Sequence, residues 1–474
     1  MTTDTLPNDQ LLLDIADYVE GYKVTSDVAY EAARLCLLDS LACALEALDH
    51  ADCVRLLGPV VPGASVTHGA RVPGTAFILD PVKAAFDISS TLRWLDLSDT
   101  WISTTTTHPS DDIGAILAVA DYLSRVNAAA GKPPLTMQSV LEAMIKAHEI
   151  QGGLGAEFAM TDHGIDNVYL TKIACAAVVA RMLGGGRDEI AAAVSLALFE
   201  PSLCLHRFGS NTGPRKSWAG GDAGSDAVRF AMMAVKGEPG YPQVMTHPKW
   251  GVAKSFLGGR ELHLMGPMGT AVIEGVFYKL HPVVIHAQAS IECALQLHPV
   301  IKDRIDDIAE IRITTHRQPI MKIVKSGPLR NAADRDHCLQ YAVAVALLRG
   351  KLKAHDYEDA AAADPRIDQL RSLMTVTESQ RYNESYLDKS RRANPTAIEV
   401  CFKDGSSSGV VEVEYPAGHP RRRQEAMPML LEKFHQALAL RFPAERQRAI
   451  SAVCLDHQRM LGTPVSEFTE LFAA

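Results

Sequence analysis

Between Leu92 and Asp112 the chain reads LRWLDLSDTWISTTTTHPSDD, which gathers Arg93, Asp96, Asp99 and His108 within a few helical turns' length of chain. These residue types can move a proton next to a carboxylate. That chemistry needs a general base with a tuned pKa and a neighbouring cation to hold the enediolate-like charge that develops. Asp96 and His108 are the candidate acid and base, with Asp99 beside them. Arg93 and the hydroxyls of Thr106 and Thr107 are candidate substrate contacts. Asp80-Pro81 before the stretch and Pro109-Ser110-Asp111-Asp112 after it are helix-start signals, so the stretch should join the end of one helix to the beginning of the next. His108 then falls at a helix N-terminus, where free backbone N–H groups and the dipole favour an anion. The expected ligand is a carboxylate.

Other chemistry-bearing residues lie further along. Arg215 and Lys216 in NTGPRKS fall at a helix start, where cations oppose the dipole and an external anion would compensate them. His281 and His286 in KLHPVVIHAQ are interrupted by Pro282, and no HExxH pattern occurs, so no metal site is expected. Asp334, Asp336 and His337 in DRDHC read as acids complementing a helix start, and His148-Glu149 as part of an ordinary helix. The nine cysteines are scattered without a CxxC pair and read as buried thiols, which excludes an iron–sulfur cluster from the expectation. There is no glycine-rich nucleotide fingerprint and no GxSxG elbow.

The 474 residues, 47% apolar and 22% charged with a formal net charge of -9, describe a globular chain large enough for two domains and without a nucleic-acid footprint. Arg421-Arg422-Arg423 is the main basic cluster and reads as solvated surface. No apolar run reaches membrane-spanning length, and MTTDTLPNDQ has neither signal-peptide nor transit-peptide character, so a cytoplasmic location is expected.

Positioning these residues falls mostly to helices. Periodicity predicts two helices over 11–47, the second capped by Ser26, then a helix from Pro81 and helices over 113–126, 136–150, 168–183, 188–199 and 218–235. Gly184-Gly185-Gly186 is a stop, and the polar stretches 152–167 and 205–217 read as loops. From Glu274 the pattern changes to a helix over 287–296, a strand over 308–315, a helix over 334–348 and strands over 397–402 and 409–415 joined by Lys403-Asp404-Gly405. After Met427 amphipathic helices return. The fold class is mainly α: a large all-helical domain over 1–270, rejoined by the C-terminal helices 418–474, plus a smaller α+β domain over 271–417.

Several stretches together, CLLDSLACALEAL, RVPGT, RWLDLSDTW with HPSD, AMIKAHEIQG, NTGPRKSWAGGDA, GPLRNAADRDHCLQY and VEYPAGHPRRRQ, resemble the MmgE/PrpD family, and within it the 2-methylcitrate dehydratases. The resemblance runs almost end to end. It implies a homodimeric lyase acting on a small tricarboxylate, with no cofactor and no metal, and with its site in an interdomain cleft. The family's cleft pattern carries over to Asp96, Thr100, His108 and Lys216 as catalytic positions, and to Lys279 and His286 as substrate contacts, with Arg93, Arg215, Thr106 and Thr107 beside them. The departures are the Ile-Ser-Thr-Thr-Thr-Thr run after Trp101 and an apolar Val283-Val284 pair, both of which remove bulk or charge. The expected reaction is dehydration of 2-methylcitrate or a longer 2-alkylcitrate to the cis-alkylaconitate-type product. The alternatives are a decarboxylase acting on cis-aconitate and a carboxylate-binding homologue without catalysis.

Overall fold

The computed structural model describes residues 7–207 and 212–474; part of the expected 205–217 loop and of the N-terminal stretch lies outside the described residues. The protein is mainly helical. Helix Gln10–Gly21 precedes helix Asp27–Ala47, whose expected cap Ser26 accepts a hydrogen bond from Ala29 N at 3.1 Å. Helix Pro81–Arg93 starts as its sequence dictates: Pro81 is in the first turn, and the Asp80 carboxylate accepts from Val82 N and Lys83 N at 3.1 and 3.0 Å. Helices Ile113–Ala129, Met137–Leu154, Val168–Met182, Arg187–Leu198 and Arg215–Ala234 follow. Among the described residues no helix is long and apolar enough to cross a membrane.

The centre of the helical part is packed through small residues. A Cβ on Gly221 would lie 2.6 Å from the Phe86 carbonyl oxygen, and one on Gly114 2.6 Å from Ser89 N. Helices Arg215–Ala234 and Ile113–Ala129 therefore approach the backbone of Pro81–Arg93 closely, and only glycine fits there. Gly152 has the same role. It lies inside Met137–Leu154, where the sequence reads as a loop, because a Cβ there would meet the Val272 side chain at 2.6 Å.

The apolar core divides in two. One cluster draws on residues 11–278 and 426–472, so that Phe434, Phe468 and Phe472 near the C-terminus pack with Leu12 and Ile15 near the N-terminus. The other draws on residues 283–413. Its sheet has the order Met374–Glu378, Ile308–Thr315, Thr396–Phe402, Ser407–Val413, with the first pair parallel and the others antiparallel. Ile311 and Ile313 alternate inward and pack with residues of helices Gln288–Ile301 and Leu339–Arg349. Gly405, at φ +84°, closes the hairpin between the last two strands.

Two elements differ from their sequence reading. Strand Met374–Glu378 is absent from the sequence reading: Met374 and Val376 alternate with threonines over only five residues, and pairing with Ile308–Thr315 makes the segment a strand. The helix expected over 334–348 is instead a short helix Ala332–Arg335, a break, and helix Leu339–Arg349. Asn331 caps the short helix by accepting from Asp334 N at 2.9 Å, which frees Asp336 and His337 from the capping role expected of them.

Candidate active site

Asp96 follows the end of helix Pro81–Arg93. Its φ of +48° is left-handed, a conformation that aspartate tolerates better than most residues and that ends the helix where glycine commonly would. The turn aims the carboxylate into the seam between the two cores. There the Lys279 ammonium donates to its Oδ1 and, at 2.9 Å, to its backbone oxygen. Lys216 Nζ lies 3.8 Å from Asp96 Oδ2 and donates to Asp336 at 2.7 Å. His337 Nε2 is 3.6 Å from Asp96 Oδ2, while its Nδ1 donates to Asp336 at 2.5 Å. Burial by itself would raise the Asp96 pKa, but Lys279, Lys216 and His337 more than offset it and hold the carboxyl well below the usual range. Asp96 is thus a committed anion and a weak base.

His108 stands opposite. Its Nδ1 is 2.8 Å from the Asp99 carbonyl oxygen, an acceptor only, so Nδ1 carries the proton and Nε2 is left with its lone pair. Burial, followed by the charges of Arg93 and Lys279, pushes the His108 pKa well below its ordinary value and keeps the ring neutral. Asp99 itself faces away from the cleft. It accepts from Ser110 N at 2.9 Å and lies 3.6 Å from His148 Nε2. The N–H expected to receive a substrate anion at this turn is therefore occupied by Asp99.

The inner cavity, about 80 Å³, is bordered by Arg93, Asp96, Thr105, His108, His286 and His337. Through Thr104, Thr106, Thr161 and Lys322 it meets an outer chamber of about 310 Å³. The threonine run forms the wall between them. Thr104 Oγ1 donates to the Ala156 oxygen at 2.7 Å, and Thr105 Oγ1 donates to the Phe158 oxygen, so the run is tied to the segment after helix Met137–Leu154. His286 Nδ1 is buried without a hydrogen-bond partner among the described residues, and its ring meets His316 edge-on.

Of the expected residues, Arg93, Asp96, Thr106, His108 and His286 border the inner cavity, and Lys216 and Lys279 stand beside Asp96 without reaching the cavity wall. The other three expected residues do not face the seam. Arg215 is on the surface, where it pairs with Asp222 at 2.9 Å and stacks over Trp218, because the first turn of its helix points it away from Lys216. Thr107 is fully buried and absent from the cavity walls, since its backbone pairs with Trp101. Thr100 sits behind His108 with Oγ1 3.3 Å from Nδ1, so it orients the ring and does not touch a ligand. Sequence reasoning passed over Asp336 and His337, which the DRDHC cluster signalled, and Arg207, which borders the cavity from the 205–217 loop.

The MmgE/PrpD N-terminal domain model matches residues 13–265 and the MmgE/PrpD C-terminal domain model matches residues 281–457. The chain belongs to the MmgE/PrpD family. Among curated relatives, the 2-methylcitrate dehydratase of Cupriavidus necator is 50% identical, with both chains covered in full. That of Escherichia coli K12 is 48% identical over 98% of this chain and 97% of its own. The mitochondrial 2-methylcitrate dehydratase of Yarrowia lipolytica is 45% identical over all of this chain and 92% of its own. These two family segments divide the chain at 266–280, close to where the two apolar cores separate.

Proposed function

We propose that this protein is a hydro-lyase that dehydrates 2-methylcitrate. The observation that carries the reading is a neutral His108, with its Nδ1–H held by the Asp99 carbonyl, on the wall of the same small cavity as Asp96, whose carboxylate is flanked by Lys279 and Lys216. Relatives of that name, about equally long and half identical, support the substrate. In this scheme His108 Nε2 takes the proton alpha to a carboxylate. The C–H electron pair becomes the new double bond, the C–O bond breaks, and the hydroxide leaves as water with a proton from Lys216. Arg93 and Lys279 hold the charge that builds on the carboxylate. A bound polyanion also raises the basicity of His108 by offsetting the cations that depress it.

The organisation we propose is a helical domain of residues 1–270 with 418–474 around an α+β domain of 271–417, assembled as a cytoplasmic homodimer. The two separate apolar cores support the division. Light scattering on purified protein tests the dimer, and cell fractionation the location.

Mass spectrometry of products formed in the presence of EDTA tests the activity, with 2-methylcitrate, longer 2-alkylcitrates and cis-aconitate in parallel. Loss of water from 2-methylcitrate is expected; loss of carbon dioxide from cis-aconitate alone would replace the dehydratase by a decarboxylase. His108→Ala should lower kcat by about 10²–10⁴, the usual contribution of a positioned base, and unchanged turnover would remove His108 from the reaction.

A further inference from the structure

The cations that border or lean on the inner cavity are, with one exception, already committed to acids. Arg93 donates to Asp111 at 2.7 Å, Arg207 to Asp166 at 2.6 Å, Lys216 to Asp336 at 2.7 Å, and Lys279 to Asp96. Lys322 is the exception. It borders both the inner cavity and the outer chamber, and among the described residues its ammonium makes no hydrogen bond and no ion pair. Its backbone is fixed, because it lies in the last turn of helix Arg317–Ile323 and the neighbouring Ile323 is 1% exposed within the second core. Burial lowers the Lys322 pKa, and Asp162, whose charge opposes that shift, is exposed on the wall of the outer chamber and forms no ion pair with it. The Lys322 side chain is half-buried at the neck and has no counterion among the described residues, and a ligand carboxylate there would supply one.

The proposed substrate, 2-hydroxybutane-1,2,3-tricarboxylate, has two carboxylates on the carbons that react and a third on a methylene arm that does not. We propose that Lys322, at the neck between the chambers, binds this third carboxylate and makes the site select tricarboxylates over dicarboxylates. The inference rests on the dehydratase reading for the identity of the arm. Its geometry is independent of that reading: Asp96 and His108 border the inner end of the cavity, Lys322 the outer end, and the hydroxyl-bearing wall of Thr104, Thr106 and Thr161 runs beside Lys322. Because the arm carboxylate takes no part in bond breaking, Lys322 acts on binding and leaves the chemical step largely alone.

Calorimetric titration with propane-1,2,3-tricarboxylate and with methylsuccinate, which lacks the arm carboxylate, tests the proposal. The wild-type chain should bind the tricarboxylate at least about tenfold more tightly, a difference of about 1.4 kcal/mol. Lys322→Met should abolish that preference, Lys322→Arg should retain most of it, and KM for 2-methylcitrate should rise about tenfold or more in Lys322→Met while kcat changes little. Circular dichroism establishes that each variant is folded, and Lys322→Gln serves if Lys322→Met is not. A folded neutral variant that keeps the wild-type preference overturns the proposal, as does a wild-type chain without preference. A wild-type chain that selects the tricarboxylate through Lys322 yet releases no water from 2-methylcitrate would sink the dehydratase reading and leave the binding role intact.

Discussion

At the scale of single residues the site is a compact electrostatic arrangement in which the removal of one charge exposes another. Asp96 and Lys279 are both buried, with side chains 3% and 0% exposed. Asp96→Asn therefore leaves an ammonium facing a neutral amide. Breaking a buried pair in this way destabilises a protein by about 3–5 kcal/mol, and urea unfolding at pH 7 should show a loss of that order. The sign with pH follows from Lys279, whose pKa burial already lowers, with Asp96 opposing the shift. In the variant its folded pKa lies further below the unfolded one, so the unfolded chain binds more protons and stability rises with pH toward about 10. The deficit against wild type should shrink between pH 7 and 10; a constant deficit would show that Lys279 is not the group left unpaired.

At the scale of elements, the positions of Asp96 and Lys216 are set by the contact between helices Pro81–Arg93 and Arg215–Ala234. Gly221 is where that contact is tightest, with Ser90 Oγ 2.4 Å and the Phe86 oxygen 2.6 Å from a Cβ built there. Alanine is the better helix former, so an isolated helix would gain from Gly221→Ala. Here the overpacking dominates, at about 1–3 kcal/mol. The variant should melt earlier and, because the displaced helix carries Lys216, lose more in kcat than Gly21→Ala, whose Cβ meets nothing within 4 Å. Equal activity in the two variants would mean that the helix contact does not govern the site. The break at Asp336-His337-Cys338 has a similar meaning: a continuous helix would satisfy local propensity, yet the interruption lets His337 reach Asp96 and Lys216 reach Asp336.

For the whole molecule, acid stability is governed in part by two buried histidines that take no part in the proposed proton transfer. His316, 0% exposed and 2.9 Å from the Asn394 side-chain oxygen, and His419, 3% exposed, are both pushed down to about 4, chiefly by burial. Below the ordinary histidine pKa near 6.5 the unfolded chain takes up these protons and the folded chain does not, so stability falls as the pH drops from about 6.5 to 4. Each histidine contributes up to about 1.4 kcal/mol per pH unit across that window. Urea midpoints measured from pH 7.5 to 4.5 should decline, and His316→Asn should flatten the decline. The C-terminal helices close onto the first core, which residues 11–19 and 426–472 share, and Gly74 N donates to the oxygen of the fully buried Phe472 at 2.8 Å. The Arg421-Arg422-Arg423 cluster also serves this closure: Arg422 pairs with Glu292 at 2.8 Å and Arg423 donates to the Val276 oxygen at 2.7 Å, where the composition alone reads as solvated surface.

The helical class, the helix starts at Ser26, Asp80-Pro81 and Pro109, the strand over 308–315 and the seam residues Asp96, His108, Lys216, Lys279 and His286 were legible in the sequence. Local patterns carry them: apolar spacing and caps act over a few residues, and end-to-end motifs mark the site. The orientation of each side chain was not legible, because it depends on elements distant in sequence. Lys216 and Arg215 are adjacent, yet only packing against the second core decides that one meets Asp336 and the other meets solvent. Asp96 and Asp99 follow the same helix end in one short segment, yet a left-handed turn aims one at Lys279 while the other turns back to Ser110 and His148. Lys322 carries no motif at all. Its charge, unpaired among the described residues, stands where two separately packed cores leave a cavity between them, a property that distance defines and that no stretch of sequence contains by itself.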